Sequence, residues 1–366
     1  MKARTYLILI PAVVLLLLTA YVIFVEYATG QANKVPWRFQ QFLLESTVGP
    51  KIVVVGSSNT KLSLDTEGLE SYFRVPVLNL SDIAGIAVEP KLKVIEPYLF
   101  SGDTLILPVI YWDYGINEVL ADTYLFISYG DGDRYYKTYP FEQRLGMLLG
   151  DLHASELLSV MFRRRFGEGL QKTYDDRIEI FQERLQGPFW ERRGSSLLGA
   201  TEDPNSIQAH TDGETCDEYI FRHLPESNWK IGKQFTGVLK ILNRIRDKGV
   251  TVIFTYPVTV DYDDSGCYES ELGQHGLEFM AEMENDLRSQ GFYFVGDPLA
   301  INYSSDLFLN TYYHPVASAA LDRSQRLLEA LVEAGFKPYD NPDFSSEEYD
   351  QALVNRLWKL KTIIEE

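Results

Sequence analysis

The chain has 366 residues, 45% of them hydrophobic and 23% charged, so it can bury a large core and no long part of it defaults to disorder. A formal net charge of −18 removes the basic surface on which nucleic-acid phosphates or anionic lipid headgroups would dock. Two cysteines, Cys216 and Cys267, lie in separate polar loops, and the sequence leaves open whether they pair.

From Tyr6 to Val25 (YLILIPAVVLLLLTAYVIFV) no charge interrupts the chain. Such a run has the roughly 20 residues needed to cross a bilayer as a helix. Lys2 and Arg4 precede it and Glu26 follows it, so the positive-inside rule assigns residues 1–5 to a cytoplasmic tail. Residues 6–25 then form a single anchor, and the bulk of the chain lies outside the membrane, in a periplasm or at the cell exterior. The small residues from Ala28 to Ala32 keep signal-peptide cleavage open as the alternative to an uncleaved anchor. Residues 26–50 read as a stalk in which Trp37 to Glu45 forms an amphipathic helix resting on the membrane or on the domain.

The folded part is expected to begin with a strand at Ile52 to Val55, β-branched and uninterrupted by polar residues, as for a strand buried on both faces. It runs into Gly56-Ser57-Ser58-Asn59, ahead of a helix from Leu64 to Phe73. A serine on the turn after such a strand is a common nucleophile, and the same two serines are equally good helix caps. Val75 to Leu80 is the second strand, with the loop Ser81 to Gly85 after it. A helix from Ile86 to Leu99 carries a stripe of Val88, Leu92, Ile95 and Leu99, with Pro97 as a kink or stop. Thr104 to Ile110 is the third strand.

Regular alternation stops over about 114–233, which reads as an insertion covering the sheet edge. Within it, Phe141 to Phe166 has helical spacing, Arg163 to Arg165 suit the C-terminal end of that helix, and Gly194 to Asn228 is polar and loop-like. The sheet resumes with a helix from Phe235 to Lys248 and a strand from Val250 to Thr255 that ends in Tyr256-Pro257. A helix at His275 to Gln290, a strand at Phe292 to Val295, the segment Thr311-Tyr312-Tyr313-His314-Pro315 and a helix at Ala317 to Ala334 follow. Residues 340–366 form a C-terminal helix in which Ser345 and Glu348 have capping-box spacing and Leu353, Leu357, Leu360 and Ile364 form a stripe. The alternation predicts an α/β domain over 51–339, a mainly parallel sheet between two helical layers.

Ligands of an open α/β sheet bind at the carboxyl ends of its strands. That edge gathers Ser58, the Ser81 to Gly85 loop, Tyr111 to Asp113, Tyr256 and the segment carrying His314. A nucleophilic serine needs a base and oxyanion donors, and His314, directly before the last sheet-packing helix, is the best placed base. No metal or cofactor is expected: His210, Cys216 and His223 fit no zinc spacing, and Asp261, Asp263 and Asp264 read as solvated turn residues. Tyr111, Trp112, Tyr114, Tyr256, Tyr312 and Tyr313 suit either a sugar-binding cleft or core packing.

The succession VVVGSSNTKLSLD, VPVLNLSDIAG, a third strand and a Tyr-His pair before a helix resembles the SGNH/GDSL hydrolase-like superfamily. It is most similar to a membrane-anchored branch in which Gly-Ser-Ser replaces Gly-Asp-Ser, over Lys51 to Tyr114 and Gly249 to Gly335. The resemblance implies a flavodoxin-like three-layer sandwich with Ser58 as nucleophile and His314 as general base. The oxyanion donors would be the Ser58 amide and a group of the second block, at Ser81 or Gly85. The third block lacks the family's asparagine, a role left to Asn59 or Asp113. Thr311 stands where related proteins carry the aspartate that orients the histidine; Asn310 is adjacent, and Asp306 is the carboxylate able to swing in. The implied activity is that of an esterase or O-acyltransferase on cell-envelope or exopolysaccharide glycans, with a membrane-bound O-acyltransferase as partner. The alternative is a non-catalytic scaffold or glycan-binding member of an envelope assembly.

Overall fold

The computed structural model describes residues 3–30, 35–83, 86–110, 135–150, 174–197, 233–261, 267–309 and 314–365. It divides into two compact units, residues 1–38 with 121–177 and residues 39–120 with 178–366.

The first unit holds helix α1 (Ala3–Gly30) and, further on, the helical segment Phe141–Gly150. Along α1, Leu9, Ile10, Val13, Val14, Leu15, Leu16, Leu17 and Ile23 are exposed. Among the described residues no helix is long and apolar enough to cross a membrane. The side chains described along α1 are those of Leu9 to Tyr21 and Ile23, fewer than the about 20 that a span requires.

The second unit is built on a five-stranded sheet of β1 (Ile52–Val54), β2 (Val77–Asn79), β3 (Thr104–Pro108), β4 (Thr251–Thr255) and a fifth strand, Tyr293–Val295. Every pairing is parallel, and in chain order the strands lie 2-1-3-4-5. This is a doubly wound order, in which the chain reverses its direction of travel between β1 and β3. β1, β2 and β3 are buried along their whole lengths, as their apolar sequences require. Pro76 and Pro108 bound the second and third strands more tightly than apolarity suggests, since proline has no N–H for a ladder.

One face of the sheet packs Ile52, Val54, Ile106, Ile253 and Val295 against Leu64, Leu69 and Phe73, and against Leu327 and Leu331 of a late helix. On the other face Phe254 meets Phe235, at the start of the helix Lys233–Asp247. The helix expected at Leu64–Phe73 starts later, as α4 (Glu67–Phe73), and a short helix α3 (Ser58–Ser63) precedes it, the two separated where Leu64 turns extended. α5 (Val88–Ile95) tightens into a 3₁₀ turn at Glu96–Tyr98, where Pro97 falls. A second, two-stranded parallel sheet pairs Thr259–Asp261 with Asn302–Ser304, a pairing that strand-length patterning in the sequence does not suggest.

The helix Val35–Ser46 buries Phe39, Phe42, Leu43 and Leu44, and Phe39 and Phe42 meet the ring of Phe181. From the expected insertion, the segment from Gly187 to Leu197 docks on edge strand β2, where the Asn79 N–H donates to the Arg193 carbonyl at 2.8 Å. Arg193 is fully buried and forms a two-pronged pair with Glu70 at 2.6 Å, plus a 2.5 Å bond to Asp350 of the C-terminal helix Ser346–Glu365. Removing one partner of such a buried pair costs about 3–5 kcal/mol, because the other charge is left uncompensated. In that last helix Leu353 and Leu357 are buried while Leu360 is exposed, and the Glu348 N–H donates to Ser345 Oγ as the capping spacing predicts.

Candidate active site

The carboxyl ends of β1 and β3 form the switch point of the sheet, and the chain after β1 turns there through Gly56 into α3. Gly56 is required by space: a Cβ would come within 2.8 Å of Thr60 Cβ and 3.2 Å of the Pro108 carbonyl. Ser57 is the N-cap residue by position, extended at φ −98°, yet its side chain makes no cap bond. Its hydroxyl is buried without a partner among the described residues. Ser58 opens the helix and is half-buried. Ser57, the capping residue by position, therefore does not cap through its side chain.

The last sheet-packing helix, α6 here (Ala317–Glu333), reaches the same edge. Near its C-terminus Leu331 lines a cavity of roughly 210 Å³ with Ile52, Thr104 and Thr251, the starts of three strands. Further up, Arg323 donates to Ser63 Oγ and the Asp65 N–H donates to Ser324 Oγ at 2.8 Å, which fixes α6 against α3. α6 thus runs antiparallel to the strands, and its N-terminus points to the edge that carries Ser58. His314 lies just ahead of it, held by the Leu309 N–H on the His314 carbonyl at 2.9 Å and by an antiparallel bridge between Phe308 and Pro315. The imidazole is half-buried, and burial holds its pKa below the ordinary histidine value. A ring neutral at pH 7 is the form a general base needs. No hydrogen bond joins it to Ser58. Asp306 sits exposed in the 3₁₀ turn Ser305–Leu307.

The other expected site residues divide. The Asn59 side chain is committed: its amide donates to the Val258 carbonyl at 3.0 Å and accepts from the Val258 N–H at 3.2 Å, with Asn59 itself 1% exposed. It is a staple between the serine turn and the segment that leads into the second sheet, with one amide N–H and the amide oxygen used in these bonds. Ser81 is buried, and its N–H donates to Asn79 Oδ1 at 3.1 Å, so an oxyanion contribution from Ser81 would come from its hydroxyl, which has no partner among the described residues. Tyr256 donates to Glu284 Oε2 at 2.7 Å and packs on Phe294. Burial and that carboxylate push its phenol well above the usual tyrosine range, and its hydroxyl is directed at the helix Glu271–Ser289. Gly85, Asn310 and Asp113 lie outside the described residues, as do Tyr111, Trp112, Tyr114, Tyr312, Tyr313, Cys216 and the polar loop with His210 and His223. Among the described residues no group of three or more His, Cys, Asp or Glu side chains converges as a metal site.

Two residues shape this edge without a role assigned from sequence. Asn79, at the end of β2, donates to Ser195 Oγ at 2.9 Å and to the Thr60 carbonyl at 3.2 Å while accepting from Ser81. Lys91 of α5 is 1% exposed and sends its ammonium to the Gly56 and Ile83 carbonyls, both at 2.9 Å. The signal for Lys91 was a charge at the helical position between Val88 and Leu92, inside the apolar stripe.

Compared with known proteins, the chain matches no family model and no curated protein.

Proposed function

We propose that the chain is a membrane-anchored, extracytoplasmic serine esterase or O-acyltransferase of the SGNH type, acting on acylated glycans of a cell envelope or exopolysaccharide. One observation carries this reading: Ser58 opens helix α3 at the switch point of a doubly wound sheet, on the same edge as the N-terminus of α6, just behind His314. In the reaction His314 takes the Ser58 proton, and Ser58 Oγ attacks the acyl carbonyl. The imidazolium gives that proton to the departing donor oxygen, leaving the acyl-enzyme. His314 then takes a proton from the sugar hydroxyl or water that attacks the acyl-enzyme and returns it to Ser58 Oγ. Transfer over hydrolysis rests on the resemblance to partners of membrane-bound O-acyltransferases, and fold alone fixes neither.

The anchor rests on the uncharged run from Tyr6 to Val25, while among the described residues no helix is long and apolar enough to cross a membrane. Exposed apolar residues at Val13, Val14, Leu15, Leu16 and Leu17 occupy successive positions and so go round the whole helix, the pattern of a helix surrounded by lipid. A second reading, a glycan-binding scaffold without turnover, is favoured by the commitment of Asn59 and of the Ser81 amide to structural bonds. Acetyl release from a chromogenic ester by the detergent-solubilised full chain separates the two. Loss of release in Ser58→Ala and His314→Ala is expected of the enzyme, and equal rates in all three proteins favour the scaffold.

A further inference from the structure

We infer that Lys91 is a positioning residue of the serine site, whose buried ammonium ties the turn before Ser58 to the loop after β2. The inference rests on Ser58 being the nucleophile. Lys91 Nζ donates to the carbonyl of Gly56, immediately before Ser57-Ser58, and to the carbonyl of Ile83, in the loop after β2. The Gly56 carbonyl also accepts from the Asp82 N–H at 3.3 Å, so the two loops meet at one oxygen. An ammonium removed from water is costly, and an aliphatic side chain at this point of the α5 stripe would pack without that cost.

The contrast with Lys51 is informative. That lysine, equally buried at the opposite end of the sheet, forms a 2.7 Å ion pair with Asp103 and closes a turn by it. Lys91 gathers main-chain carbonyls from two loops at the carboxyl edge of the sheet. All described peptide bonds are trans, so a carbonyl aimed at Lys91 turns the following N–H the other way. With the Gly56 carbonyl held down toward α5, the Ser57 N–H faces away from Lys91 and the Ser57-Ser58 turn is set in one orientation. The positive charge also lies beneath the turn at which negative charge develops on the acyl oxygen, where fixed dipoles and charges act most strongly on the transition state.

The test uses the full chain in detergent as wild type, Lys91→Met and Lys91→Arg. The readouts are the second-order rate of fluorophosphonate labelling at Ser58, amide hydrogen exchange of peptides covering 54–62 and 80–88, and the thermal midpoint. Lys91→Met is expected to label at least about 10-fold more slowly, toward the 10²–10³ typical of a lost oxyanion donor. Exchange should quicken in both loop peptides while β3 and β4 stay protected, and Lys91→Arg should recover part of the rate. Equal labelling of wild type and Lys91→Met overturns the inference and leaves the serine reading intact. Faster exchange throughout the domain with a collapsed midpoint also overturns it, since Lys91 would then be a general stability element. A wild type that takes no label overturns the serine reading itself, and unchanged exchange in the two loops then rejects the role of Lys91 as well.

Discussion

Asn59→Ala discriminates between a staple and an oxyanion donor. The wild-type side chain makes two buried hydrogen bonds to one peptide neighbour, 3.0 Å to the Val258 carbonyl and 3.2 Å from the Val258 N–H. Val258 is 1% exposed, so alanine would strand its N–H and weaken the satisfaction of its carbonyl out of reach of water. Each buried polar group left unpaired costs about 1–3 kcal/mol, which puts the loss at about 2–6 kcal/mol for the pair. Urea unfolding of the full chain in detergent, followed by tryptophan fluorescence, measures this as a lower midpoint at unchanged slope. Asn59→Asp should be at least as harmful at neutral pH, because a carboxylate would face the Val258 carbonyl. The reasoning fails if Asn59→Ala unfolds within about 0.5 kcal/mol of wild type while ester turnover falls by the 10²–10³ of a lost oxyanion donor.

Two further outcomes follow from the geometry. Burial lowers the His314 pKa, so the unfolded chain binds this proton at higher pH than the folded one does, and stability is lost as pH falls below about 6.5. The urea midpoint should therefore drop more between pH 7.5 and pH 5 in wild type than in His314→Gln, and the acid limb of Ser58 labelling should have an apparent pKa under 6.5. Gly194 and Gly335 both have positive φ, +92° and +88°, but a Cβ at Gly194 would strike the Asn79 carbonyl, whereas one at Gly335 meets nothing within 4 Å. Gly194→Ala should lower the thermal midpoint clearly more than Gly335→Ala, and should loosen exchange along β2, where Asn79 is held.

The sheet was legible because its strands are short apolar runs separated by helical periodicity, a pattern that a parallel sheet covered on both faces imposes on each strand. The strands Ile52–Val54 and Thr104–Pro108 fall inside the runs Ile52 to Val55 and Thr104 to Ile110 that show this pattern. The position of Ser58 was legible for the same reason, since the end of a strand locates the residue that follows it. What the residues attach to was not. Asn59 looks like a polar group next to a nucleophile, and only the fold brings Val258, distant in sequence, under its amide. Tyr256 follows a strand at the carboxyl edge of the sheet, and its hydroxyl donates to Glu284 on the helix beside it. Lys91 and Arg193 were passed over because a single charge in a helix or loop reads as solvated, and their burial depends on partners supplied by other segments. The helix break at Leu64 and the pairing of Thr259–Asp261 with Asn302–Ser304 are likewise decided by tertiary contacts that propensity does not encode.

The central claim is that Ser58 is an activated nucleophile, and peptide mass spectrometry after exposure of the full chain to a fluorophosphonate tests it most directly. The account predicts one adduct, on Ser58, lost in Ser58→Ala and slowed in His314→Ala. An unmodified Ser58 under conditions that label a control serine esterase to completion, or an adduct on Ser57 instead, would contradict it.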